Sequence, residues 1–485
     1  MSSDRLGQRV AKGVAWSFSE KLLTMVIQMV VSIIVARQLS PDDFGVMAIM
    51  TFFTSVALTI VDSGFSQTLI RKSEASDEEY SSVFGFNVIT SLLLYLLLLL
   101  LAEPLARFYG NPVIADISPI LLLVLPINAL CVVQTVMFTR EFRFALLSKV
   151  VFAASLISGV VAVVMALLGF GIWSLVAQRL LAMGVKAAAF WVIRRWRFTP
   201  HISVRLLAEM APFSLRLLAT DLISSIYNNV AQLFIGKMHS TGALGYYSQA
   251  QKLKDLPVTS TVQAVQGVTY PALSALADDR VKLTEGYSRI MALCSYLIFP
   301  VMLGLVAIAP DMFALLLGDK WMPTVPYFEI LALSGMVYPL SVVSYNILKV
   351  KSDGRVILRL EILKRLLMTL VLLYTIPQGV ESIAWGMTAM ATIDFCINTL
   401  FALRYLDMGV VRLLRLLLPQ LSLAAVMFGV LYLLNPHFAD FTLGVRLLID
   451  VALGVVFYAV GSAVLRLRAF NDLWSLLCSM VVKSE

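Results

Sequence analysis

The sequence predicts an all-α integral membrane protein with about fourteen transmembrane helices, arranged as two pseudo-symmetric lobes of six helices and two further C-terminal helices. Hydrophobic residues make up 59% of the 485 residues and charged residues only 14%. In soluble proteins about a quarter of the residues are charged. The mean hydropathy is +0.87. Apolar runs of the ~20 residues that a helix needs to cross a bilayer recur along the whole chain, and the short connections leave no room for a separate soluble domain.

Polar residues, glycines and prolines divide the chain into these runs. The runs lie near residues 14–36, 44–69, 82–106, 114–138, 146–168, 171–193, 211–236, 243–272, 287–309, 324–348, 357–376, 381–403, 413–434 and 443–465. A basic flank precedes the first run, but the run contains Glu20 and Lys21 and has no cleavage site of small residues. We therefore expect it to remain as the first membrane helix rather than to be removed as a signal peptide.

The positions of lysine and arginine predict the orientation, because short cytoplasmic loops collect these residues. With the N-terminus inside, only five of the 38 lysines and arginines fall in loops on the outer side: Arg37, Arg107, Lys237, Lys320 and Arg446. We therefore expect both termini to be cytoplasmic. The net charge of +8 follows from this distribution. No recognition motif accompanies the basic residues, so no nucleic-acid partner is expected.

An internal repeat is indicated by a shift of 200 residues, which places residues 36–40 on 236–240 and Gly45 on Gly245. Each half then has a long polar helix, a tight outer turn, a second long helix and four more apolar helices. We expect an N-terminal lobe in residues 1–205, a C-terminal lobe in 206–410, additional helices in 411–467 and an amphipathic tail in 468–485, on the cytoplasmic surface or against the bundle. Parallel repeats of this kind occur in transporters that rock one half against the other.

Polar residues concentrate on the first, second, seventh and eighth predicted helices, which the repeat pairs. A charged group inside the bilayer costs roughly 2.5–3.5 kcal/mol on insertion scales, so such groups normally face an interior or a wet cavity. The substrate-binding candidates of a central cavity are Lys21, Arg216, Asn228, Gln232, Gln251, Lys252, Lys254 and Gln263. Lysine and arginine are natural partners of phosphate oxygens.

Four carboxylates in the same helices are candidates for binding a coupling ion. A desolvated carboxylate can carry a proton or a sodium ion. These candidates are Glu20, Asp62, Asp221 and Asp255. The alternative is that the charges only neutralise one another in structural pairs, such as Glu20 with Lys21 or Arg216 with Asp221. The other charges inside predicted helices are isolated on otherwise apolar helices, and for them a structural role is at least as good an interpretation as a functional one. They are Arg179, Lys186, Glu329 and Asp394.

Motifs of enzyme chemistry are missing from the sequence. There is no nucleotide-binding GxxxxGK[ST] loop, no GxGxxG after a strand, no HExxH and no GxSxG. The four cysteines and three histidines have neither metal-ligand nor triad spacing. We therefore expect no catalytic residue, no metal and no cofactor beyond a coupling proton or sodium ion.

Four segments carry a resemblance to a known family. They are LSPDDFGVMAI (residues 39–49), DSGFSQTLIRK (62–72), LGYYSQAQKLKDLP (244–257) and VTYPALS (268–274). They resemble the polysaccharide-transporter family of the multidrug, oligosaccharidyl-lipid and polysaccharide (MOP) exporter superfamily, and in particular its Wzx-type lipopolysaccharide and colanic-acid flippases. The resemblance covers the first twelve predicted helices in order.

The resemblance implies a MATE-like, V-shaped bundle whose central cavity is lined by helices 1, 2, 7 and 8. It implies that undecaprenyl-diphosphate-linked oligosaccharide is turned from the cytoplasmic to the periplasmic leaflet of the bacterial inner membrane, for lipopolysaccharide or exopolysaccharide biosynthesis. The implied partners are this glycan lipid, membrane lipids, and the polymerase and chain-length proteins of the pathway. The cavity cations that bind the diphosphate would be Lys21, Arg216, Lys252 and Lys254.

Two other functions are weighed against this one. A cation-coupled multidrug antiporter of the same superfamily would favour a net acidic, aromatic pocket, whereas the seventh and eighth helices hold three cations, Arg216, Lys252 and Lys254, against two acids. A membrane polymerase or ligase would be expected to place catalytic residues in a large periplasmic loop, and no long outer loop is predicted.

Overall fold

A computed structural model of the chain describes residues 23–72, 74–194, 196–199, 202–438 and 440–471, without the side chains of 264, 267, 268, 270 and 271. Within these ranges the chain is helical and has no strand. The α-helices are α1 (Leu23–Gln38), α2 (Pro41–Asp62), α3 (Phe65–Arg71), α4 (Asp77–Tyr109), α5 (Val113–Leu121), α6 (Val124–Arg140), α7 (Phe144–Leu167), α8 (Trp173–Ile193), α9 (Val204–Met238), α10 (Thr241–Ala275), α11 (Arg280–Ala307), α12 (Ala309–Leu316), α13 (Val325–Lys351), α14 (Gly354–Thr375), α15 (Val380–Leu403), α16 (Val410–Leu434) and α17 (Leu443–Val464). Short 3-10 helices occupy Asp319–Thr324, Ile376–Gln378 and Asn435–Phe438.

Ten helical segments among the described residues are long and apolar enough to cross a membrane. They coincide with the second to sixth, ninth, tenth and twelfth to fourteenth predicted runs. The described part of the first run is the shorter apolar helix α1. The seventh and eighth runs form α9 and α10, each of 35 residues, and the eleventh forms α14; all three are long enough to span but more polar. The all-helical membrane fold is confirmed, and the count of fourteen spans stays a prediction.

The chain divides at Gly245 into two compact units, which we call unit 1 (through Gly245) and unit 2 (from Tyr246). In unit 1, α4 packs on α6, α7 packs on α8, and α9 lies against α2, α3 and α4. In unit 2, α13 packs on α15 and α11, and α16 and α17 pack on each other and on α11. The lobe boundaries predicted near residues 205 and 410 stay predictions.

The second predicted run does not form one helix. Ser40 begins α2 with a capping box: its hydroxyl accepts a hydrogen bond from the Asp43 N–H (3.2 Å), and the Asp43 carboxylate accepts one from the Ser40 N–H (2.9 Å). The helix ends at Asp62 because Ser63 and Gly64 both have left-handed backbone angles, with φ of +48° and +71°. The chain turns there and resumes as α3. Run 44–69 was expected to be continuous, and it is broken at this turn.

α10 runs continuously through Pro257, although the proline breaks one step of its helical hydrogen bonding. The proline removes one backbone donor. The hydroxyls of Thr259, Ser260 and Thr261 donate to the carbonyl oxygens of Asp255 (2.6 Å), Leu256 (2.8 Å) and Pro257 (2.9 Å). These three bonds do not reach the carbonyl oxygen of Leu253, which the missing Pro257 N–H leaves without its helical donor, so α10 continues past one lost hydrogen bond.

The first turns of α2 and α10 approach each other closely, within unit 1. A Cβ added to Gly45 would lie 1.8 Å from the carbonyl oxygen of Thr241, and one added to Gly245 would lie 1.8 Å from that of Pro41. The Thr241 hydroxyl also donates to the Asp42 carboxylate at 2.6 Å. Only glycine permits such an approach at either position. The two contacts are related by the shift of 200 residues, and we call the pair the reciprocal glycine crossing.

Candidate functional site

The structure places the predicted site residues in three groups. Glu20 and Lys21 lie outside the described residues. Unit 1 contains Asp62, Arg216, Asp221, Asn228 and Gln232, and unit 2 contains Gln251, Lys252, Lys254, Asp255 and Gln263. Each unit is described by itself below.

Asp62 lies at the turn between α2 and α3, where α9 crosses it. A Cβ added to Gly64 would be 2.6 Å from the carbonyl oxygen of Ser214, so α9 rests directly on this turn. The buried hydroxyls of Thr68 and Ser214 are 2.7 Å apart and join α3 to α9. Asp62 accepts a hydrogen bond from the Ser66 hydroxyl, and the like charge of Asp221 on α9 acts on it through space. Two of the four coupling-ion candidates are therefore linked electrostatically within unit 1.

The polar side chains of α9 form an exposed face. Arg216, Thr220, Asp221 and Asn228 are exposed on unit 1, whereas Ser214, on another side of the helix, is buried. The hydroxyls of Thr220 and Ser224 donate to the carbonyl oxygens four residues earlier, at 3.0 and 2.9 Å. The buried pair Arg216–Asp221 considered as an alternative is not among the ion pairs of the described residues. We call the side chains of Arg216, Thr220, Asp221, Ser224 and Asn228 the α9 polar face.

In α10, one substrate candidate is paired with one ion candidate. Lys254 Nζ lies 2.8 Å from Asp255 Oδ1, which is the structural pairing that we set against a functional role. The aliphatic part of the Lys254 side chain packs on α13. A Cβ added to Gly335 of that helix would lie 3.5 Å from the Lys254 Cγ. Lys252 and Gln263 are exposed on unit 2, and Gln251 is half-buried.

A charged cluster between α14 and α15 was missed by the sequence analysis. Lys364 is 7% exposed and pairs with Glu361; its ammonium lies 3.4 Å from Asn398 Oδ1 and 5.3 Å from the ring centre of Tyr345. Asp394 on α15 interacts electrostatically with Lys364 and Glu361, although it was interpreted as standing alone on an apolar helix, and its structural role stays a prediction. Lys364 lies within the predicted run 357–376 and in α14, but it was not included among the charges inside helices. The spacing of the polar residues could have indicated this cluster. Residues 361, 364 and 365 share one helix face, and residues 394 and 398 share another.

Two of the other charges inside helices, Arg179 and Lys186, have partners within unit 1. Arg179 donates to the Thr51 hydroxyl at 2.9 Å, and the Lys186 ammonium lies 5.6 Å from the ring centre of Phe190. Among the described residues, no group of three or more His, Cys, Asp or Glu side chains is placed to hold a metal ion.

Comparison with known proteins identifies the family. The family model described as "Polysaccharide biosynthesis protein" matches residues 34–326, which is more than half of the chain. The chain belongs to this polysaccharide biosynthesis protein family. The polysaccharide-transporter resemblance carried by the four sequence segments is thereby confirmed.

Curated relatives of the family come from several bacteria. The succinoglycan biosynthesis transport protein ExoT of Rhizobium meliloti (strain 1021) is 28% identical over 333 residues, covering 68% of this chain and 67% of that protein. The teichuronic acid biosynthesis protein TuaB of Bacillus subtilis (strain 168) is 23% identical over 459 residues, covering 93% and 94%. The lipopolysaccharide biosynthesis protein WzxC of Escherichia coli (strain K12) is 22% identical over 338 residues, covering 68% of each chain.

Solved structures confirm the fold class. The lipid II flippase MurJ in an inward closed conformation superimposes with a TM-score of 0.72 at 15% identity, covering 94% of this chain and 99% of that chain. An inward-facing multidrug resistance MATE transporter of the MOP superfamily gives 0.61 at 14% identity, covering 79% and 94%. The protein is a multi-span membrane protein of a polysaccharide transporter family with the MOP fold. Its relatives are named as transport and biosynthesis proteins and its structural neighbours as a flippase and transporters.

Proposed function

We propose that this protein is a flippase that moves undecaprenyl-diphosphate-linked oligosaccharide repeat units from the cytoplasmic to the periplasmic leaflet of the bacterial inner membrane by alternating access. The product would serve lipopolysaccharide or exopolysaccharide biosynthesis. The observation that carries the proposal is the α9 polar face. This helix has 35 residues and belongs to a fold of membrane helices, yet it exposes an arginine, an aspartate, a threonine and an asparagine. Such side chains need water or a polar ligand against them, because a lipid chain offers no hydrogen bond.

The chemistry of this face suits a glycan lipid diphosphate. The planar guanidinium of Arg216 presents five donors in a fork that matches phosphate oxygens, and Lys252 on α10 adds a point charge. The hydroxyls of Thr220 and Ser224 and the amide of Asn228 can exchange hydrogen bonds with sugar hydroxyls. The apolar tail of such a substrate has no counterpart on this polar face and would stay in the bilayer.

The cavity itself belongs to the proposal. It would lie between an N-terminal lobe (residues 1–205) and a C-terminal lobe (206–410). The first, second, seventh and eighth predicted helices would line it; the seventh and eighth are α9 and α10 of the structure. Further contacts would come from Lys21, Gln232, Gln251, Lys254 and Gln263. The pairing of Lys254 with Asp255 makes Lys254 the weakest of these candidates.

Coupling would use the carboxylates Asp62 and Asp221. The like charges of Asp62 and Asp221 repel, so a proton or a sodium ion bound at either carboxylate would relieve that repulsion. Glu20 and Asp255 are the other carboxylates proposed for this role. Both termini would be cytoplasmic, and the pathway's polymerase and chain-length proteins would be partners.

Flipping can be measured in proteoliposomes with a fluorescent undecaprenyl-diphosphate oligosaccharide, using a membrane-impermeant quencher to report the exposed leaflet. We expect the double variant Arg216→Gln, Lys252→Gln to slow flipping about tenfold or more, because charge-assisted hydrogen bonds to the diphosphate are lost. The matched control is Arg205→Gln, Lys282→Gln, which removes exposed cations from α9 and α11 outside the proposed site. Equal flipping by the two double variants would contradict the proposed site, and wild-type rates equal to those of empty liposomes would contradict the function.

A further inference from the structure

A groove on unit 2 lies outside the candidate site. It is formed by α11, α16 and α17 and has a volume of about 380 Å³, within the ~300–1,000 Å³ range of small-molecule pockets. Gly304 and Gly454 leave room between the helices, and the side chains of Met427 and Leu431 are among the apolar groups that line it. Val451, at its rim, is 49% exposed on the face that a bilayer would cover. A ligand would therefore enter from the bilayer.

A carboxylate with a free oxygen lies in this groove. Asp450 on α17 is 1% exposed. Its Oδ2 accepts a hydrogen bond from the Asn435 side-chain amide at 3.0 Å. Its Oδ1 is buried and accepts no hydrogen bond from any residue that the structure describes. A buried carboxylate oxygen without a donor is costly, because desolvation is not compensated.

The charges around Asp450 do not balance. The Asn435 amide also donates to Asp311 on α12 at 3.0 Å, and Arg446 Nε lies 2.8 Å from the same Asp311 oxygen. The two carboxylates thus share the Asn435 amide, and the cluster holds two carboxylates and one guanidinium. On the elements packed against α17, the described titratable groups nearby are Tyr296 and Tyr458, which are neutral, and the exposed His437 in the 3-10 helix. The cluster has room for one further positive charge.

Aromatic rings line the same groove. The rings of Tyr296 and Tyr458 lie 5.1 Å apart between centres, and the buried Tyr458 hydroxyl has no hydrogen-bond partner among the described residues. Tyr458 lies about two helical turns along α17 from Asp450, so the two rings would contact the apolar body of a ligand whose charge is at Asp450. Because the other groups that line the groove are apolar or aromatic, the space beside Asp450 suits an organic cation better than a hydrated metal ion.

We propose that this groove binds a lipophilic monovalent cation, an ammonium or phosphonium group carried on an apolar body. The cationic group lies at Asp450 Oδ1, and the apolar body lies along α17 between Gly454 and Tyr458. The site is separate from the α9 polar face and does not rest on the proposed function.

The test uses the full-length protein in lipid nanodiscs, with partitioning into empty nanodiscs subtracted. The probes are dodecyltrimethylammonium and its uncharged isostere 2,2-dimethyltetradecane, in which carbon replaces nitrogen. We expect the wild-type protein to bind the cation about tenfold or more tightly than the isostere, because only the cation makes a charge-assisted contact with the carboxylate. Asp450→Asn should abolish this preference and leave isostere binding unchanged, which also shows that the groove is still folded. Asp440→Asn, at an exposed carboxylate before α17, should keep the preference.

A second pair of variants tests the groove itself. Val451→Trp fills the rim and should weaken binding of both probes, whereas Val456→Trp, at a position that is 59% exposed and outside the groove, should weaken neither. Cation binding should also weaken as the pH falls, because a proton competes for Asp450 Oδ1. The proposal is overturned if the wild-type protein shows no preference for the cation, or if Asp450→Asn retains it.

Discussion

At the scale of single residues, the reciprocal glycine crossing is the tightest contact described. Each glycine faces a backbone carbonyl oxygen rather than a flexible side chain, so neither neighbour can move aside without displacing a helix. The sequence indicated Gly45 and Gly245 only as a repeat. Their contact could not be predicted, because nothing in a local pattern brings together backbones that are about 200 residues apart.

Gly45→Ala should therefore destabilise the protein. A Cβ 1.8 Å from the Thr241 oxygen forces the helices apart, and overpacking of this kind costs about 1–3 kcal/mol or more. Thermal unfolding in detergent should show a lowered Tm. Gly184→Ala is the matched control, because nothing lies within 4 Å of its Cβ position in α8 and alanine is the better helix former. A Tm of Gly45→Ala equal to that of the control would show that the crossing is looser than described.

At the scale of elements, the sequence predicted helices and their polar sides but not how helices pair. The α9 polar face follows from the spacing of residues 216 to 228 on one helix, which periodicity detects. The break after Asp62 was missed because hydropathy does not distinguish a left-handed turn from helix. The α14 cluster was missed because Lys364 meets Asn398 on another helix, and the sequence does not show which helices are neighbours.

Lys364 should hold α14 against α15. Lys364→Met leaves Asn398 Oδ1 without its ammonium donor and removes the cation beside Asp394, so we expect a loss of about 1–3 kcal/mol in the free energy of unfolding. The readout is denaturant or thermal unfolding in detergent micelles. Arg359→Gln, at an exposed position of the same helix, should have little effect. If both substitutions cost the same, the buried position of Lys364 contributes nothing specific.

At the scale of the whole molecule, composition and hydropathy predicted the fold class well, because the bilayer imposes length and apolarity on every span. Ten spans satisfy these criteria within the described residues. Two long helices that do not, α9 and α10, carry the polar residues that make them candidates for the working site. Hydropathy therefore predicts a scaffold better than it predicts the helices that bind a substrate.

The orientation can be tested by labelling single cysteines in intact cells. The starting variant lacks the native cysteines Cys131, Cys294, Cys396 and Cys478. Arg107→Cys, at an exposed position near the end of α4, should react with a membrane-impermeant maleimide. Lys282→Cys, exposed in the first turn of α11, should react only after the inner membrane is permeabilised. The reverse pattern would invert the topology and the direction of transport proposed with it.

The reciprocal glycine crossing also has the form of an isologous interface, although it lies within one polypeptide. In such an interface, residue i of the first copy contacts residue j of the second, and residue j of the first contacts residue i of the second. Pro41 and Gly45 stand in this relation to Thr241 and Gly245. Each repeat contributes the same two elements to the crossing, one glycine and one backbone carbonyl oxygen. A contact of this form uses one kind of turn twice, so a substitution at either glycine removes one half of a symmetric pair.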